Sequence, residues 1–83
     1  MTNEELNNLE AVVVDARGVS CPGPLLEAKK GIGNVGIDGT IEIWSSDPGT
    51  KTDIPAWCQK VGHEFRGIIE AEGYDRIFVT RKK

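Results

Sequence analysis

The residues best equipped for chemistry form the run Cys21-Pro22-Gly23-Pro24, which follows the apolar residues 12–14. Proline fixes its own φ near the helical value and has no N–H to lose, so it is well tolerated in the first turn of a helix. The run therefore predicts a helix that begins at Pro22, with Cys21 at its N-cap or beside it. A thiol there lies at the positive end of the helix macrodipole, which favours the thiolate. The spacing predicts a sulfur nucleophile.

Two neighbours of Cys21 restrict the chemistry further. A thioredoxin-like dithiol needs a second cysteine at position 24, and Pro24 occupies that position. An N-cap side chain normally accepts from the N–H of the second or third helical residue. Those residues are Gly23 and Pro24, of which only Gly23 has an N–H. The sequence thus predicts a thiolate that is favoured by the dipole, held by few hydrogen bonds and available for transfer.

The length and composition of the chain limit the number of domains and the class of protein. The chain has 83 residues, two cysteines and a formal net charge of −3. This length indicates one small domain, and two cysteines are too few for the disulfide framework of a small secreted domain. The first ten residues are polar and acidic, with no hydrophobic span. We therefore expect a cytoplasmic protein with free thiols, no membrane segment and no strong nucleic-acid binding, which normally needs a basic surface.

The remaining reactive side chains have plainer interpretations. Cys58 falls on the apolar stripe of a predicted helix and is expected to be a buried hydrophobe, with a resolving or second-carrier role as the alternative. His63 follows that helix and is expected to be structural or solvated, with a Cys–His nucleophilic pair as the alternative. Two cysteines and one histidine are inadequate for a zinc site, so no metal is predicted. Arg17 has two open roles: its guanidinium either approaches the thiolate or a partner's carboxylate, or it is a structural side chain that pairs with Asp15 or is solvated.

The elements alternate as β-α-β-α-β-β. A helical crossover between two strands implies a parallel, right-handed pairing, and the last two strands form an antiparallel hairpin. Each helix has one apolar face, so both are placed on one side of a mixed four-stranded sheet, an α/β (α+β) two-layer sandwich. Residues 1–9 are expected to be a flexible N-terminal tail, with a short helical turn within it as the alternative. The predicted strands cover 11–15, 40–45, 64–70 and 76–81, and the first helix covers Pro22–Asn34.

The second predicted helix carries its apolar residues at helical spacing. Its beginning has two candidate caps: Asp53 itself, or Thr50 with Asp53 three residues on. Gly62 is expected to end the helix. The hairpin turn is expected at residues 72–75. The apolar stripe comprises Ile54, Trp57, Cys58 and Val61.

Residues 15–24, which contain the run Cys21-Pro22-Gly23-Pro24, resemble the signature of the TusA/SirA-like family of small sulfur-carrier proteins. The hallmark of that family is Cys-Pro-x-Pro at the start of the first helix. The resemblance covers residues 11–82, within a single TusA-like domain of residues 10–83. It runs through the segments 15–24, 47–58 and 62–64 and the basic pair Lys29-Lys30. It implies that Cys21 accepts a sulfane sulfur as a persulfide, supported by Pro22, Gly23, Pro24, Arg17 and Asp53, with no cofactor.

The family also implies partners. The donors expected are cysteine desulfurases and rhodanese-like proteins, and the acceptors belong to relays for tRNA thiolation, molybdenum-cofactor synthesis or sulfur oxidation. Lys29 and Lys30 are interpreted as a docking pair or as a solvated helix face, and Asp53 as a cap or a partner contact. A carrier of this kind is expected to be a monomer that docks transiently.

A rival interpretation comes from another class of protein. The β-α-β-α-β-β order also resembles the C-terminal domain of a translation initiation factor, which suggests a regulatory or RNA-associated binding module. Its basic patch would comprise Lys29, Lys30 and residues 81–83. The negative net charge and the lack of an evident aromatic stacking platform weigh against it, and similarity of fold is weak evidence for function.

Overall fold

The computed structural model describes residues 3–20 and 23–83. In these ranges the chain forms three helices and four strands. Their order is α1 (Asn3–Asn7), β1 (Ala11–Ala16), α2 (Gly23–Gly33), β2 (Thr40–Ser45), α3 (Thr50–Val61), β3 (Glu64–Ala71) and β4 (Tyr74–Thr80). No helix in this part of the chain is long and apolar enough to cross a bilayer.

The sheet has the predicted mixed topology, with strand order β1-β2-β4-β3. β1 pairs in parallel with β2, and β4 is antiparallel to both of its neighbours, β2 and β3. In the central strands Ile43 is in register with Val14 on one side and with Ile77 on the other. The crossover through α2 therefore joins β1 to its parallel partner, as the sequence predicts.

Helices α2 and α3 share one core with the sheet, which confirms the two-layer arrangement. Ile41 and Ile43 of β2 are fully buried there with Ile77 and Val79 of β4. Gly31 allows α2 to approach β1 closely, because a Cβ at this position would lie 2.5 Å from Cγ2 of Val14. The helices contribute Ala28, Ile32, Ile54, Trp57 and Cys58 to the same cluster.

The opposite face of the sheet carries a short helix, whose packing on the sheet the sequence analysis did not predict. Residues 1–9 were expected to be a flexible tail, yet Asn3–Asn7 form α1 and Leu6 is 1% exposed. The Leu6 side chain packs over Gly67, where a Cβ would lie 2.9 Å from Leu6 Cδ1. Gly67 is in register with the buried Phe78, which alternates along β4 with the core residues of the helix-covered face. The tail prediction is therefore wrong for α1.

The ends of α3 confirm one prediction and correct another. Gly62 ends the helix in the left-handed region, at φ 89°, and its N–H donates to the carbonyl of Cys58 at 2.8 Å. At the other end Gly49 is the N-cap residue, without a side-chain cap, so neither predicted cap forms. The Thr50 hydroxyl instead shares a buried hydrogen bond of 2.7 Å with Ser45. Asp53 lies in the first turn.

The hairpin turn is shorter than predicted. β3 extends to Ala71 and β4 begins at Tyr74, which leaves only Glu72 and Gly73 between the strands. Gly73 is the second central residue of this turn and has φ 81°, the positive value that a type II turn requires there and that glycine adopts without strain. The tight turn brings Tyr74 into the sheet, where its ring contacts Trp44.

Candidate functional site

The loop between β1 and α2 leads to the motif cysteine. Cys21 and Pro22 lie outside the described residues, so the predicted N-cap position of Cys21 stays a prediction. On either side of them the backbone is held by two hydrogen bonds. The Val19 N–H donates to the carbonyl of Ala16 at 3.3 Å, and the Gly23 N–H donates to the carbonyl of Ser20 at 2.8 Å.

The bond from Gly23 changes the predicted hydrogen bonding of the motif. The sequence analysis assigned the Gly23 N–H to the sulfur, but in the structure it is donated to Ser20. Gly23 also packs against Val19 so closely that a Cβ would clash with Cγ1 of that side chain. Pro24 is among the fully buried side chains. Gly23 and Pro24 thus hold the start of α2 against the loop, and the Gly23 N–H is engaged by the backbone of that loop.

Arg17 is held by its own loop and by two rings. Its Nε and Nη2 atoms donate to the two carboxylate oxygens of Asp15 at 2.9 and 2.8 Å, and its backbone N–H donates to Asp15 at 3.1 Å. The guanidinium carbon lies 4.7 Å from the ring centre of Trp44 and 5.2 Å from that of Tyr74, within cation–π range. Of the two roles left open by the sequence, the structure shows the pairing with Asp15.

The electrostatics of the pair follow from these contacts. The hydrogen bonds from the Arg17 side chain, and then that from its backbone, lower the pKa of Asp15 from 3.8 to about 2. The same side-chain bond to Asp15 raises the pKa of Arg17. Both side chains are about half exposed, so the ion pair itself adds little stability. Its role is to fix the direction in which the chain leaves β1.

An acid titration should detect the ion pair between Asp15 and Arg17. Because the folded pKa of Asp15 is depressed, its stabilising contribution is fully present above 3.8 and is lost as the pH falls through about 2. We expect the guanidinium NMR signals of Arg17 to stay constant from neutral pH to about 3.8 and to shift as the pH approaches 2. Asp15→Asn should remove the step, and a wild-type midpoint near 3.8 would contradict it.

Trp44 is itself fixed by a charged pair on the same face. Its indole Nε1 donates to Glu42 at 2.5 Å, and Nε of Arg76 donates to the same carboxylate at 2.8 Å. Burial raises the pKa of Glu42, but the hydrogen bonds from Arg76 and Trp44 outweigh it and lower the pKa overall. Alternation along β2 places Glu42 and Trp44 on one face of the strand. The sequence analysis missed the contact of Trp44 with Arg17 and that of Glu42 with Arg76, which depend on the register of β2 with β1 and with β4.

A second loop, after β2, supports the first. Ser46 Oγ accepts the Gly18 N–H at 2.9 Å, which ties the motif loop to the residues before α3. Asp47 in turn accepts the Gly49 N–H at 2.8 Å. Between the two loops is an open depression of about 300 Å³, whose described lining includes one carboxylate and no cation. Its lining residues are Gly18, Val19, Ser20, Ser46, Asp47 and Pro48.

The predicted docking residues divide between two surfaces. Lys29 and Asp53 line one groove between α2 and α3, which has a volume of about 260 Å³ and also includes Leu25, Ala56, Trp57 and Lys60. Lys30 instead lies toward β1 and pairs with Glu27 at 3.4 Å. The structure therefore brings Lys29 and Asp53 together and separates Lys30 from them.

Cys58 and His63 lie at the C-terminal end of α3, in its last turn and just after it, and neither belongs to the motif loop. Cys58 is 2% exposed, and burial raises the pKa of its thiol to about 11. His63 packs edge-on to Trp57 at 5.3 Å, and its Nδ1 accepts the Lys82 N–H at 3.2 Å. Burial and the neighbouring cations lower the pKa of His63, which suits an uncharged acceptor.

Comparison with known proteins identifies the family. Residues 12–81 match the family described as sulfurtransferase TusA. The chain belongs to the TusA family. A provisionally named sulfur carrier protein of Archaeoglobus fulgidus is 46% identical over 72 residues, which are 87% of this chain and 99% of that protein. The sulfur carrier protein TusA of a Pseudomonas putida strain is 36% identical, with 84% of this chain and 88% of the relative covered.

A solved structure supports the same fold. The crystal structure of a SirA-like protein from Desulfitobacterium hafniense superposes with a TM-score of 0.74. It covers 87% of this chain and 99% of the other at 19% identity. At that identity the likeness concerns the fold alone. This structural similarity and the family match together confirm the resemblance that the sequence analysis stated.

Proposed function

We propose that this chain is a sulfur carrier that holds a sulfane sulfur on Cys21 as a persulfide. The observation that carries the proposal is the TusA-family match over residues 12–81, which includes the motif cysteine. Relatives that align over most of the chain are named sulfur carrier proteins. Cys21 is the thiol to consider because the other, Cys58, is buried and has a raised pKa.

The proposed reaction exchanges one sulfur–sulfur bond for another. The Cys21 thiolate attacks the terminal sulfur of a donor's cysteine persulfide. A bond forms between that sulfur and Cys21, the bond inside the donor persulfide breaks, and the electron pair leaves with the donor's cysteine thiolate. The acceptor's thiolate or other nucleophile then attacks the carried sulfur, and Cys21 leaves as thiolate. No external oxidant or reductant is consumed.

The geometry around the motif loop suits a protein substrate. The depression between Gly18–Ser20 and Ser46–Pro48 is open and contains no lining cation among its described residues. Hydrogen bonds to Asp15 and Ser46 hold the loop in place. We infer that the donor and the acceptor are proteins that bring the activating groups to a fixed loop. A cysteine desulfurase or a rhodanese-like protein in the cytoplasm is the proposed donor.

The groove between α2 and α3 is the proposed docking surface for such partners. It combines an apolar floor at Leu25 and Trp57 with charges of both signs, from Lys29, Lys60 and Asp53. An apolar centre with a charged rim is typical of protein interfaces. Lys30 contributes to a different surface, so the docking role proposed here is for Lys29. The acceptor belongs to a sulfur relay of the tRNA-thiolation, molybdenum-cofactor or sulfur-oxidation type.

One experiment separates the carrier from the regulatory or RNA-associated alternative. The chain is incubated with a cysteine desulfurase and cysteine, and its intact mass is measured before and after a thiol reductant. We expect a gain of one sulfur atom that the reductant removes. Salt-sensitive RNA binding without any loading by desulfurases or rhodanese-like donors would favour the alternative. Trp44 and Tyr74 do offer aromatic rings on the sheet, but Arg17 already lies over both.

The proline at the end of the motif gives a second test. Pro24→Ala adds a backbone N–H near the start of α2, and a further donor stabilises a thiolate. We expect the pKa of the Cys21 thiol to fall by about half a unit to one unit, measured by ultraviolet thiolate absorbance. The Cys58 thiol titrates separately, at about 11.

Pro24 is fully buried, so the variant also leaves a small void and must be shown to remain folded by circular dichroism. Pro55→Ala is the matched control, since it too replaces a helical proline with a residue that has an N–H, but it lies inside α3 and outside the motif loop. A Cys21 pKa that is unchanged in folded Pro24→Ala, or equally lowered in Pro55→Ala, would contradict the role given to Pro24.

A further inference from the structure

Residues 81–83, called the strap below, follow β4 and join parts of the chain that are distant in sequence. The backbone of Arg81 pairs with the turn before β2: its carbonyl accepts the Asp38 N–H at 2.7 Å, and its N–H donates to the carbonyl of Gly39 at 2.8 Å. The Arg81 guanidinium donates to the carbonyl of Val35 at 2.6 Å. These bonds attach the strap to the segment between α2 and β2.

A histidine holds the middle of the strap. The Lys82 N–H donates to Nδ1 of His63 at 3.2 Å. His63 immediately precedes β3, and its ring packs edge-on to Trp57 of α3 at 5.3 Å. A backbone N–H can only donate, so Nδ1 carries no proton in this bond and the ring is neutral. Protonation of Nδ1 would direct two N–H groups at each other and break the bond.

The surroundings of His63 oppose its protonation. Burial of the ring has the largest effect, and the cations Arg81 and Lys83 of the strap add to it. Together they lower the pKa of His63 from its ordinary value of 6.5. The strap therefore supplies both the N–H that needs a neutral ring and two charges that favour one.

The carboxylates near the strap are engaged by other cations. Asp38 accepts from the ammonium of Lys82 at 2.9 Å, and Glu64 lies 3.5 Å from the same ammonium. Glu64 also accepts from Arg66, and this bond lowers the pKa of Glu64. A proton added to His63 would place a further positive charge beside the strap while these two carboxylates remain committed to Lys82 and Arg66.

We propose that the strap is a pH-sensitive switch, which is closed when His63 is neutral and opens when His63 is protonated. A proton from solvent binds Nδ1, the Lys82 N–H loses its acceptor, and the charged ring repels Arg81 and Lys83. The strap then separates from the junction of α3 and β3, while the core between the sheet and the two large helices stays intact.

The direction of the pKa shift gives the pH range. The pKa of His63 with the strap closed lies below 6.5, so the closed state favours the neutral ring. Its stabilisation is fully present above 6.5 and is lost as the pH falls from there through the lowered value. Trp57 also lines the groove between α2 and α3, so opening changes one wall of that groove. This inference does not depend on the proposed sulfur chemistry.

An NMR titration of the full chain from about pH 8 to about pH 5 tests the switch. The ring signals of His63 should give a midpoint below 6.5. The protection of the Lys82 amide against hydrogen exchange, corrected for the intrinsic effect of pH, should fall about fivefold or more across the same range. Amides of β2 and of the buried part of β4 should keep their protection. A midpoint at or above 6.5, or a Lys82 amide that stays protected when His63 is charged, overturns the proposal.

Two substitutions of His63 separate a switch from a merely structural contact. His63→Asn places an acceptor oxygen where Nδ1 lies and does not titrate, so the Lys82 amide should stay protected at every pH. His63→Phe keeps a ring beside Trp57 without an acceptor, so the Lys82 amide should be unprotected at every pH. Circular dichroism must show that both variants are folded. Protection that still falls with pH in His63→Asn, or that survives in His63→Phe, overturns the proposal.

A third variant tests the charges of the strap. Lys83→Gln removes one of the two cations that lower the pKa of His63, so the midpoint of the ring signals should rise toward 6.5. Lys30→Gln is the matched control, because Lys30 is an exposed lysine on α2 that pairs with Glu27. It should leave the midpoint in place. An unchanged midpoint in Lys83→Gln, or an equal rise in both variants, would contradict the repulsion on which opening depends.

Discussion

Cys21→Ser is expected to abolish sulfur loading, while Cys58→Ser is expected to load like the wild type. A serine hydroxyl cannot form a persulfide, so the first variant lacks the atom that would carry the sulfur. Cys58 is 2% exposed and burial raises the pKa of its thiol to about 11, which leaves almost no accessible thiolate near neutral pH. Intact mass after incubation with a desulfurase and cysteine measures both outcomes.

The two variants differ in their expected effect on folding. Serine at position 58 places a hydroxyl in the core, at a cost of about 1–3 kcal/mol if it finds no partner. Its unfolding midpoint must therefore be measured alongside loading, and loading is compared below that temperature. Sulfur retained by Cys21→Ser and lost by folded Cys58→Ser would move the carrier role to Cys58 and overturn the assignment.

Leu6→Ala is expected to destabilise the protein by about 2–3 kcal/mol, the lower part of the range for a buried leucine. Leu6 is 1% exposed and covers Gly67 on the face of the sheet opposite α2 and α3. Its truncation removes apolar contact and leaves a void that a five-residue helix cannot refill by its own rearrangement. Urea denaturation followed by tryptophan fluorescence measures the change in the free energy of unfolding.

Leu26→Ala provides the matched control for this experiment. Leu26 lies on α2 and is 51% exposed, so its truncation should change the free energy of unfolding by about 0.5 kcal/mol or less. If Leu6→Ala has an equally small effect, α1 contributes nothing to the stability of the domain. In that event the flexible tail expected from the sequence would be the better description of residues 3–7.

The sequence predicted the sheet and its two large helices because their signals are local. Ile41 and Ile43 alternate with Glu42 and Trp44, and the apolar stripe of α3 repeats at helical spacing. The short α1 gives no comparable signal, since five residues are too few to form a stable helix in isolation. It depends on Leu6 reaching Gly67, a position sixty-one residues later that only the folded sheet brings near.

In the candidate site, too, the sequence predicted the local contacts and missed those between distant parts of the chain. The pairing of Arg17 with Asp15 was one of two roles that the sequence left open, because both side chains are local. The two rings that contact the guanidinium of Arg17 come from β2 and β4. The spacing of Trp44 and Tyr74 in the sequence does not predict that they contact each other. The cap predicted for α3 failed for a related reason. The Thr50 hydroxyl, a good cap by type, bonds to Ser45 in the preceding strand.

The retention of Arg17 by Asp15, Trp44 and Tyr74 has a consequence for how long cargo would last on the proposed carrier. This cation is already occupied, and the described lining of the depression beside the loop adds only the carboxylate of Asp47. Small anionic thiols such as glutathione would find no available cation among these residues to attract them, so they would remove the sulfur slowly. A docked protein that brings its own cation would not suffer this delay. Selective delivery would then depend on the lifetime of the persulfide on Cys21. The sulfur would persist in the presence of abundant competing thiols until the correct acceptor binds.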